Sequence, residues 1–173
     1  MLNIKLTKAS ICDLEKIRKI GIYTIIETFA LSNEDENTEK YLSESFDPEK
    51  VLKELTNPDS EFFLAESDNK VIGYLKINFN KAQSDLNDPD SLEIERIYVY
   101  KEYHGKGIGK ILFDKALETA LRNKLNYIWL GVWENNHRAI AFYKKSGFIE
   151  FDKHIFRYGN DDQTDLLMKL VIS

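Results

Sequence analysis

Two periodicities of apolar residues run along this chain and predict strands and helices in alternation. Seven segments alternate apolar with polar residues or carry short apolar runs, as strands do. We place these strands at residues 2–7, 61–67, 71–79, 92–99, 127–132, 148–156 and 164–170. Five further segments show helical spacing. They cover residues 10–30, a stretch that begins near residue 39, and residues 47–55, 111–122 and 137–146.

Local signals mark the ends of several of these elements. Ser10 is a typical N-cap, and Asp47-Pro48 predicts another helix start. Asp68-Asn69-Lys70 predicts a hairpin turn between two strands. Residues 32–38 and 80–91 are polar and predict loops, the first of them mobile. The residues expected on the buried side of the first helix are Leu14, Ile17, Ile20, Ile22 and Ile25.

Chain length and the order of elements limit the number of domains and the fold class. A chain of 173 residues, 43% of them hydrophobic, can build one packed core, so we take residues 1–173 as a single domain. The order of elements predicts an α/β (α+β) fold, a mixed central sheet with helices on both faces. No apolar run is long enough to span a membrane, and the N-terminus lacks the apolar core of a signal peptide.

Charge and cysteine usage exclude some partners. The net charge is −5 and the basic residues are interleaved with acids, so the basic stripe of a nucleic-acid-binding protein is missing. The three histidines, His104, His137 and His154, are isolated, and no metal site is expected. Cys12 is the single cysteine, which excludes an internal disulfide and favours the cytoplasm. We expect Cys12 to be a small residue of the first helix, at least half-buried and not a nucleophile.

The run His104-Gly-Lys-Gly-Ile-Gly-Lys110 carries the strongest functional signal. It lies between a predicted strand and a predicted helix. Glycines at alternate positions let the backbone turn tightly and approach a ligand closely. The helix that follows points unpaired N–H groups and a partial positive charge back at the loop. The segment therefore predicts an anion site suited to phosphates.

Two common phosphate loops do not fit this spacing. A Walker A loop needs four residues between its first glycine and Gly-Lys, followed by Ser or Thr. Here three residues separate Gly105 from Gly109-Lys110, and Ile111 follows. The dinucleotide fingerprint needs Gly-x-Gly-x-x-Gly, whereas these glycines are two apart each time. Both nucleotide-binding interpretations therefore fail.

A second motif lies further along the chain, Asn136-x-x-Ala139-x-x-x-Tyr143-x-x-x-Gly147-Phe148. Ala139, Phe142 and Tyr143 share one helix face, and Gly147 is placed to end the helix. Together with the glycine loop, this block resembles the GNAT family of N-acetyltransferases across essentially the whole chain. The family loop reads Gln/Arg-x-x-Gly-x-Gly/Ala, and His104 stands at its first position.

Further segments resemble one group within that family, the PaiA type of bacterial polyamine acetyltransferases, which is linked to sporulation and protease control. They are residues 41–46, 62–64, 92–98, 128–134, 139–145 and 163–166. The resemblance implies a mostly antiparallel sheet of about seven strands, two of which part to admit acetyl-coenzyme A, with no metal. It also implies a polyamine such as spermidine as acceptor, and homodimers are common in the family. Another small amine, a protein N-terminus, or a coenzyme-sensing regulatory role remain as alternatives.

The resemblance also implies which residues bind the coenzyme. The backbone of the fourth strand would pair with the pantetheine arm, the glycine loop would hold the pyrophosphate, and the later helix would face the coenzyme. The residues so implied are Ile97, Tyr98, Val99, His104, Gly105, Lys106, Gly107, Ile108, Gly109, Lys110, Asn136, Ala139, Phe142, Tyr143 and Lys145.

Acyl transfer to an amine needs a proton acceptor, because a free alkyl amine with a pKa of about 10.4 is mostly protonated at pH 7. Glu93 and Glu95 are the candidates, and their spacing places them on one strand face. The resemblance favours Glu93, because a base glutamate occurs at this distance before the loop in some relatives, although either glutamate could instead pair with Arg96 or a nearby lysine. Tyr143 is the implied general acid for the departing thiolate, and its alternative role is that of a core aromatic.

Acidic residues near the expected acceptor cleft are candidates for binding a polycationic amine. Glu27, Glu34 and Asp35 lie in the first helix and the loop after it, with Glu36 beside them. Asp161 and Asp162 precede the last strand. A polyamine carries several cations and needs several separated carboxylates, although each of these residues could also be an ordinary solvated charge.

Overall fold

The computed structural model describes residues 3–29 and 35–173, which form one sheet of seven strands. The strands are β1 Lys5–Lys8, β2 Ser60–Ser67, β3 Lys70–Asn78, β4 Ser91–Val99, β5 Tyr127–Trp133, β6 Ile149–Tyr158 and β7 Asp161–Val171. Their order across the sheet is β1-β2-β3-β4-β5-β7-β6. Neighbours are antiparallel except β4 and β5. The predicted mixed, mostly antiparallel sheet is confirmed.

Within the same ranges the chain forms five α-helices. They are α1 Leu14–Phe29, α2 Asp35–Ser45, α3 Pro48–Thr56, α4 Ile108–Arg122 and α5 His137–Lys145. Ser10 caps a short 3-10 turn that leads into α1. Asp47 Oδ1 accepts from the N–H groups of Glu49 and Lys50 at the start of α3. Both predicted helix starts are confirmed.

The sheet separates two apolar cores. Helices α4 and α5 cover one face, where Leu112 and Phe113 are buried, and α1 to α3 cover the other, with Ile17 and Phe46. Successive strand residues point to opposite cores, as a pleated strand requires. On the buried side of α1, a Cβ at Gly21 would lie 2.1 Å from the Phe46 ring, so glycine is what allows this close packing.

Several boundaries differ from the prediction. The sequence predicts a loop over residues 32–38; residues 32–34 lie outside the described ranges, and residues 35–38 form the first turn of α2. The turn between β6 and β7 contacts them: Tyr158 Oη donates to Thr38 Oγ1 at 3.1 Å, and the Asn160 N–H donates to Asn37 Oδ1 at 2.7 Å. Partners more than a hundred residues away leave no local signal. Helix α4 also begins earlier than predicted, at Ile108 inside the glycine loop.

The predicted burial of Cys12 is wrong. This residue is exposed, because it lies in the 3-10 turn before α1, where its backbone N–H donates to Ser10 Oγ at 3.3 Å. The buried stripe of α1 begins only afterwards. None of the described helices is long and apolar enough to cross a bilayer.

Candidate active site

Strands β4 and β5 part partway along the sheet. Their parallel pairing joins residues 91–93 to residues 127–129, and in the described chain it ends at Glu93 and Trp129. Strand β4 then continues to Val99 beside β3, and β5 continues to Trp133 beside β7. The gap opens into a cavity of about 930 Å³, lined by both strands, α4 and α5 on one side and α1 on the other. The backbone edge of β4 beyond Glu93 is therefore free to bind an extended ligand.

The glycine loop lines part of this cavity. Gly105 and Gly107 have φ values of 76° and 84°, in the left-handed region that favours glycine. A Cβ at either position would meet nothing within 4 Å, so the glycines are required for backbone shape and not for close packing. Gly107 caps α4 and offers no side chain to its first N–H groups. These free donors and the positive end of the helix suit a phosphate.

His104 fastens this loop to the end of β4. Its Nε2 donates to the Val99 carbonyl oxygen at 2.7 Å, and Arg138 Nη1 donates to its Nδ1. Burial lowers the pKa of His104, and the neighbouring charge of Arg138 acts in the same direction. The imidazole is therefore neutral at pH 7, with its proton on Nε2. This histidine replaces the Gln or Arg of the resembling loops and holds the loop in place with its side chain.

Helix α5 brings the second motif to the cavity wall. Asn136 Oδ1 accepts from the Ala139 N–H at 3.2 Å and caps the helix. Tyr143 is 7% exposed, and its ring packs against Phe142 and Phe148 at centroid distances of 5.5 and 5.6 Å. Burial raises the pKa of Tyr143. Its hydroxyl therefore keeps its proton at pH 7 and can act as a hydrogen-bond donor in the cavity.

Glu93 lies where the two strands part, and it is 2% exposed. Its Oε2 accepts from Asn78 Nδ2 at 3.0 Å and from the Ser84 N–H at 2.8 Å, and its Oε1 accepts from Ser84 Oγ. Burial, followed by the charge of Glu95, raises the pKa of Glu93 against the effect of these donors. A carboxylate with a raised pKa accepts a proton more readily than an ordinary surface glutamate.

Glu95 belongs to a buried ion network. The register of β3 and β4 shifts after Lys76, which leaves Glu95 as the extra residue of a β-bulge beside Arg96. Glu95 contacts Lys76 Nζ at 2.5 Å and Arg96 Nη2 at 3.2 Å, and Glu54 contacts the same two cations at 3.3 and 3.1 Å. Burial alone would raise the pKa of Glu95, but Arg96 and Lys76 lower it to about 2. Glu95 is thus a paired anion and a poorer proton acceptor than Glu93.

The spacing of the two glutamates correctly predicts their common face. Asn78 Nδ2 donates to both carboxylates, at 3.0 Å to Glu93 and at 2.5 Å to Glu95. This face is opposite to the one that buries Leu92 and Ile94 under α4. The amide of Asn78 thus connects the Glu93 carboxyl, whose pKa is raised, to the ion network of Glu95.

Most of the residues that the resemblance implies for coenzyme binding line this one cavity. Lys106 does not line it, and its Nζ lies 5.0 Å from the centre of the Tyr103 ring. Those that line it are Ile97, Tyr98, Val99, His104, Gly105, Gly107, Ile108, Gly109, Lys110, Asn136, Ala139, Phe142, Tyr143 and Lys145.

The predicted acceptor residues are dispersed. Glu27 lines the cavity, where its Oε2 accepts from the Lys101 N–H at 2.9 Å. Glu34 and the side chain of Asp35 lie outside the described residues. Glu36, Asp161 and Asp162 are exposed and do not line the cavity, and the two aspartates begin β7 instead of preceding it. Among the described acidic residues predicted to bind the acceptor, the fold thus brings Glu27 to the site.

Sequence reasoning missed several residues around Glu93 and in the cavity wall. Asn78 and Ser84 hold Glu93, Arg138 holds His104, and His154 and Asp165 line the cavity. Alternating polar residues in β3 could have indicated Asn78, but the same pattern is typical of a solvated strand face. Within residues 3–29 and 35–173, no group of three or more His, Cys, Asp and Glu side chains could hold a metal ion.

Comparison with known proteins gives consistent matches. Residues 23–148 match the model of the acetyltransferase (GNAT) family. The chain is 38% identical over 169 residues to an uncharacterized N-acetyltransferase of Lactobacillus delbrueckii, covering 98% of each chain. It is 31% identical over 153 residues to a spermidine N(1)-acetyltransferase of Thermoplasma acidophilum, covering 85% of this chain and 89% of that one.

A solved structure agrees over the full length. The crystal structure of the PaiA N-acetyltransferase from Thermoplasma acidophilum in complex with coenzyme A superposes with a TM-score of 0.83. The match is 26% identical and covers 99% of this chain and 100% of that one. The splayed strands and the glycine loop described above are thus parts of a fold known to bind coenzyme A in that relative.

Proposed function

This chain belongs to the GNAT family of acetyltransferases, and we propose that it acetylates a primary amine of a polyamine such as spermidine or spermine. Acetyl-coenzyme A is the cosubstrate and supplies the acetyl thioester. The observation that carries the proposal is Glu93, a buried carboxylate with a raised pKa at the point where β4 and β5 part. The strand gap gives a proton acceptor on the α1 side access to an acyl donor bound on the α4 side.

The α4 side of the cavity fits a coenzyme. Gly105, Gly107 and the uncapped start of α4 provide backbone donors for a pyrophosphate. Residues 97–99 pair with β3 along one edge only, and their other edge lines the cavity, so they can bind a pantetheine arm as an added strand. His104 keeps this edge and the loop in a fixed relation through its bond to Val99.

Glu93 is proposed to be the proton acceptor. Deprotonating an alkyl ammonium at pH 7 costs roughly 4 to 5 kcal/mol, and a nearby carboxylate lowers this cost by attracting the cation and taking the proton. Ser84 contacts the Glu93 carboxylate and lines the cavity, so an amine at this site lies within reach of the pair. Transfer is direct, with coenzyme and amine bound together.

Tyr143 is proposed to be the general acid. Its hydroxyl is protonated because burial raises its pKa, and it faces the cavity from α5, on the side of the sheet opposite to Glu93. Donation to the departing thiolate stabilises charge as it develops, even without full proton transfer. The acid and the base are thus on the two sides of the strand gap.

The choice of a polyamine rests on two observations. One relative is a spermidine acetyltransferase at 31% identity. The acceptor side of the cavity carries the carboxylates of Glu27, Glu93 and Asp165, outside the ion pairs of Glu95, and these favour a substrate with several positive charges.

The test is release of the coenzyme A thiol from acetyl-coenzyme A with spermidine, spermine, lysine and a monoamine compared side by side. A rate that rises with the number of amino groups supports the proposal. Equal rates for all amines would refute the polyamine acceptor and favour another small amine. The absence of turnover with any amine, despite tight coenzyme binding, would favour a coenzyme-sensing regulatory role.

A further inference from the structure

We infer that the cavity contains a second ammonium site, formed by Asp165 and His154 above Gly131, which selects acceptors with two amino groups three or four carbon atoms apart. The inference rests on the proposed function, since it assumes that the reacting amine lies at Glu93. None of these three residues belongs to either coenzyme motif, and all three line the cavity.

The sheet brings the three residues together. His154 and Asp165 are direct partners across β6 and β7, and Asp165 is in turn the partner of Trp133 on β5. Gly131 lies two residues before Trp133, so it shares that strand face. A Cβ at Gly131 would lie 3.3 Å from Asp165 Oδ2 and 3.8 Å from His154 Nε2. The missing side chain therefore leaves a notch, which we call the Gly131 notch, bounded by these two atoms and by Leu167 Cδ2 at 3.6 Å.

The carboxylate beside the notch has an oxygen that lacks a hydrogen-bond donor among the described residues. His154 Nδ1 lies 2.7 Å from Asp85 Oδ2, and because a carboxylate only accepts, Nδ1 is the donor of this bond. His154 Nε2 lies 3.7 Å from Asp165 Oδ2, which is too long for a hydrogen bond. Asp165 Oδ1 is buried and has no hydrogen-bond partner within the described chain. The Asp165 carboxylate can therefore accept from a ligand with several N–H donors, such as an alkyl ammonium.

Charge favours the same ligand. The side chain of Asp165 is 13% exposed. Burial raises the pKa of Asp165 to about 6, against the effect of His154. An ammonium in the notch would stabilise the ionised carboxylate, because an opposite charge at close range favours the charged form.

The spacing fits a diamine. Glu93 faces Trp129 on β5, and Gly131 lies two residues further along the same strand. At about 3.3 Å per residue, the two positions are roughly 7 Å apart along β5. Amino groups separated by three or four methylene groups span a comparable length. The notch can therefore hold the distal ammonium while the other amine lies at Glu93.

Putrescine and n-butylamine test this site, because they share a four-carbon chain and differ in the second amino group. In the wild type we expect kcat/KM to be higher for putrescine. Asp165→Asn should lower kcat/KM for putrescine by at least about tenfold and leave that for butylamine within about twofold. Gly131→Ala fills the notch and should have the same effect. Asp152→Asn, an exposed carboxylate on β6 outside the cavity, is the matched control and should change neither.

A binding measurement tests the notch independently of the proposed acetyl transfer. Calorimetric titration of each amine onto the protein with coenzyme A present needs no turnover. Tighter binding of putrescine that is lost in both the Asp165→Asn and Gly131→Ala variants supports the notch even if no amine is acetylated, which would refute the proposed function alone. Equal binding of the two amines by the wild type, or a putrescine preference that survives both substitutions, would overturn the inference.

Discussion

Glu93 and Trp129 form the last pair that joins β4 to β5, and the two strands part immediately beyond it. A central strand normally buries its backbone between two neighbours, so a gap at this position exposes polar groups that a ligand must satisfy. The side chain of Glu93, at the point where the strands part, is a carboxylate held by three donors from Asn78 and Ser84. The site is thus built around one residue pair.

Glu93→Gln should remove the proton acceptor and keep a side chain of the same size where β4 and β5 part. We expect kcat/KM for the amine to fall by about 10²- to 10⁴-fold, while the affinity for coenzyme A changes little. Steady-state kinetics and coenzyme titration measure the two effects. Glu118→Gln on the exposed face of α4 is the control. A loss of less than threefold in the Glu93 variant would show that another group, or a chain of waters, takes the proton.

Ser84→Ala should change the pH dependence of the reaction. The Ser84 hydroxyl donates to the Glu93 carboxylate and so lowers the pKa of that group. Without it the pKa of Glu93 rises further, and the carboxylate becomes protonated at a higher pH. Because the ionised form is the base, the acidic limb of the kcat/KM profile should move to higher pH. An unchanged limb would indicate that it reports some other group.

Tyr143→Phe should separate chemistry from coenzyme binding. The ring packing against Phe142 and Phe148 is preserved, and the hydroxyl is lost. We expect kcat to fall by about tenfold or more, with the KM for acetyl-coenzyme A within about twofold. Phe142→Leu, which alters packing in the same cluster and keeps the hydroxyl, serves as the comparison. Equal losses of kcat in both variants would mean that Tyr143 acts through packing.

Gly107→Ala should weaken both the loop and coenzyme binding. The backbone at Gly107 has a φ of 84°, so an alanine there costs about 1–2 kcal/mol although its methyl group meets no neighbour. Thermal unfolding should begin at a lower temperature, and the KM for acetyl-coenzyme A should rise. Gly109→Ala has no left-handed φ, and its Cβ would make an ordinary 3.8 Å contact with Phe142. It is therefore the control for stability, and a loss of stability equal to that of Gly107→Ala would refute the explanation by backbone strain.

Glu95 should make the stability of the protein sensitive to acid. Its pKa is about 2 in the folded protein and about 4.3 in an unfolded chain. The ionised form is thus favoured by folding, and this contribution is complete above about pH 4.3 and disappears as the pH falls towards 2. Denaturant unfolding of the wild type and of Glu95→Gln should therefore show a large difference in unfolding free energy near neutral pH and a smaller one in acid.

The exposed control Glu118→Gln should cost no more than about 1 kcal/mol at any pH. A difference between the wild type and Glu95→Gln that stays constant from neutral pH into acid would contradict the assignment of the low pKa to Glu95. It would indicate that the substitution acts through packing and not through charge.

Local patterns predicted most of the secondary structure because their causes lie within a few residues. Asp68 and Asn69 both adopt positive φ, as the predicted hairpin turn requires, and the strands on either side pair antiparallel, with one register shift between Ala65 and Glu66. The buried side of α1 follows the spacing of its isoleucines. The glycine loop predicted an anion site because glycine freedom and a helix start are both local properties.

The sequence by itself therefore determined the elements, their order, the phosphate-suited loop and the family that the two motifs resemble. The tertiary structure alone decided that β4 and β5 part at Glu93, that a bulge turns Glu95 into an ion-pair residue, and that His154 faces Asp165 beside Gly131. It also exposed Cys12 and wound residues 35–38 into a helix. The physical reason is the distance along the chain: His154 and its partner Asp85 are 69 residues apart. Such contacts depend on the register of several strands at once, and no periodicity within one segment encodes that register.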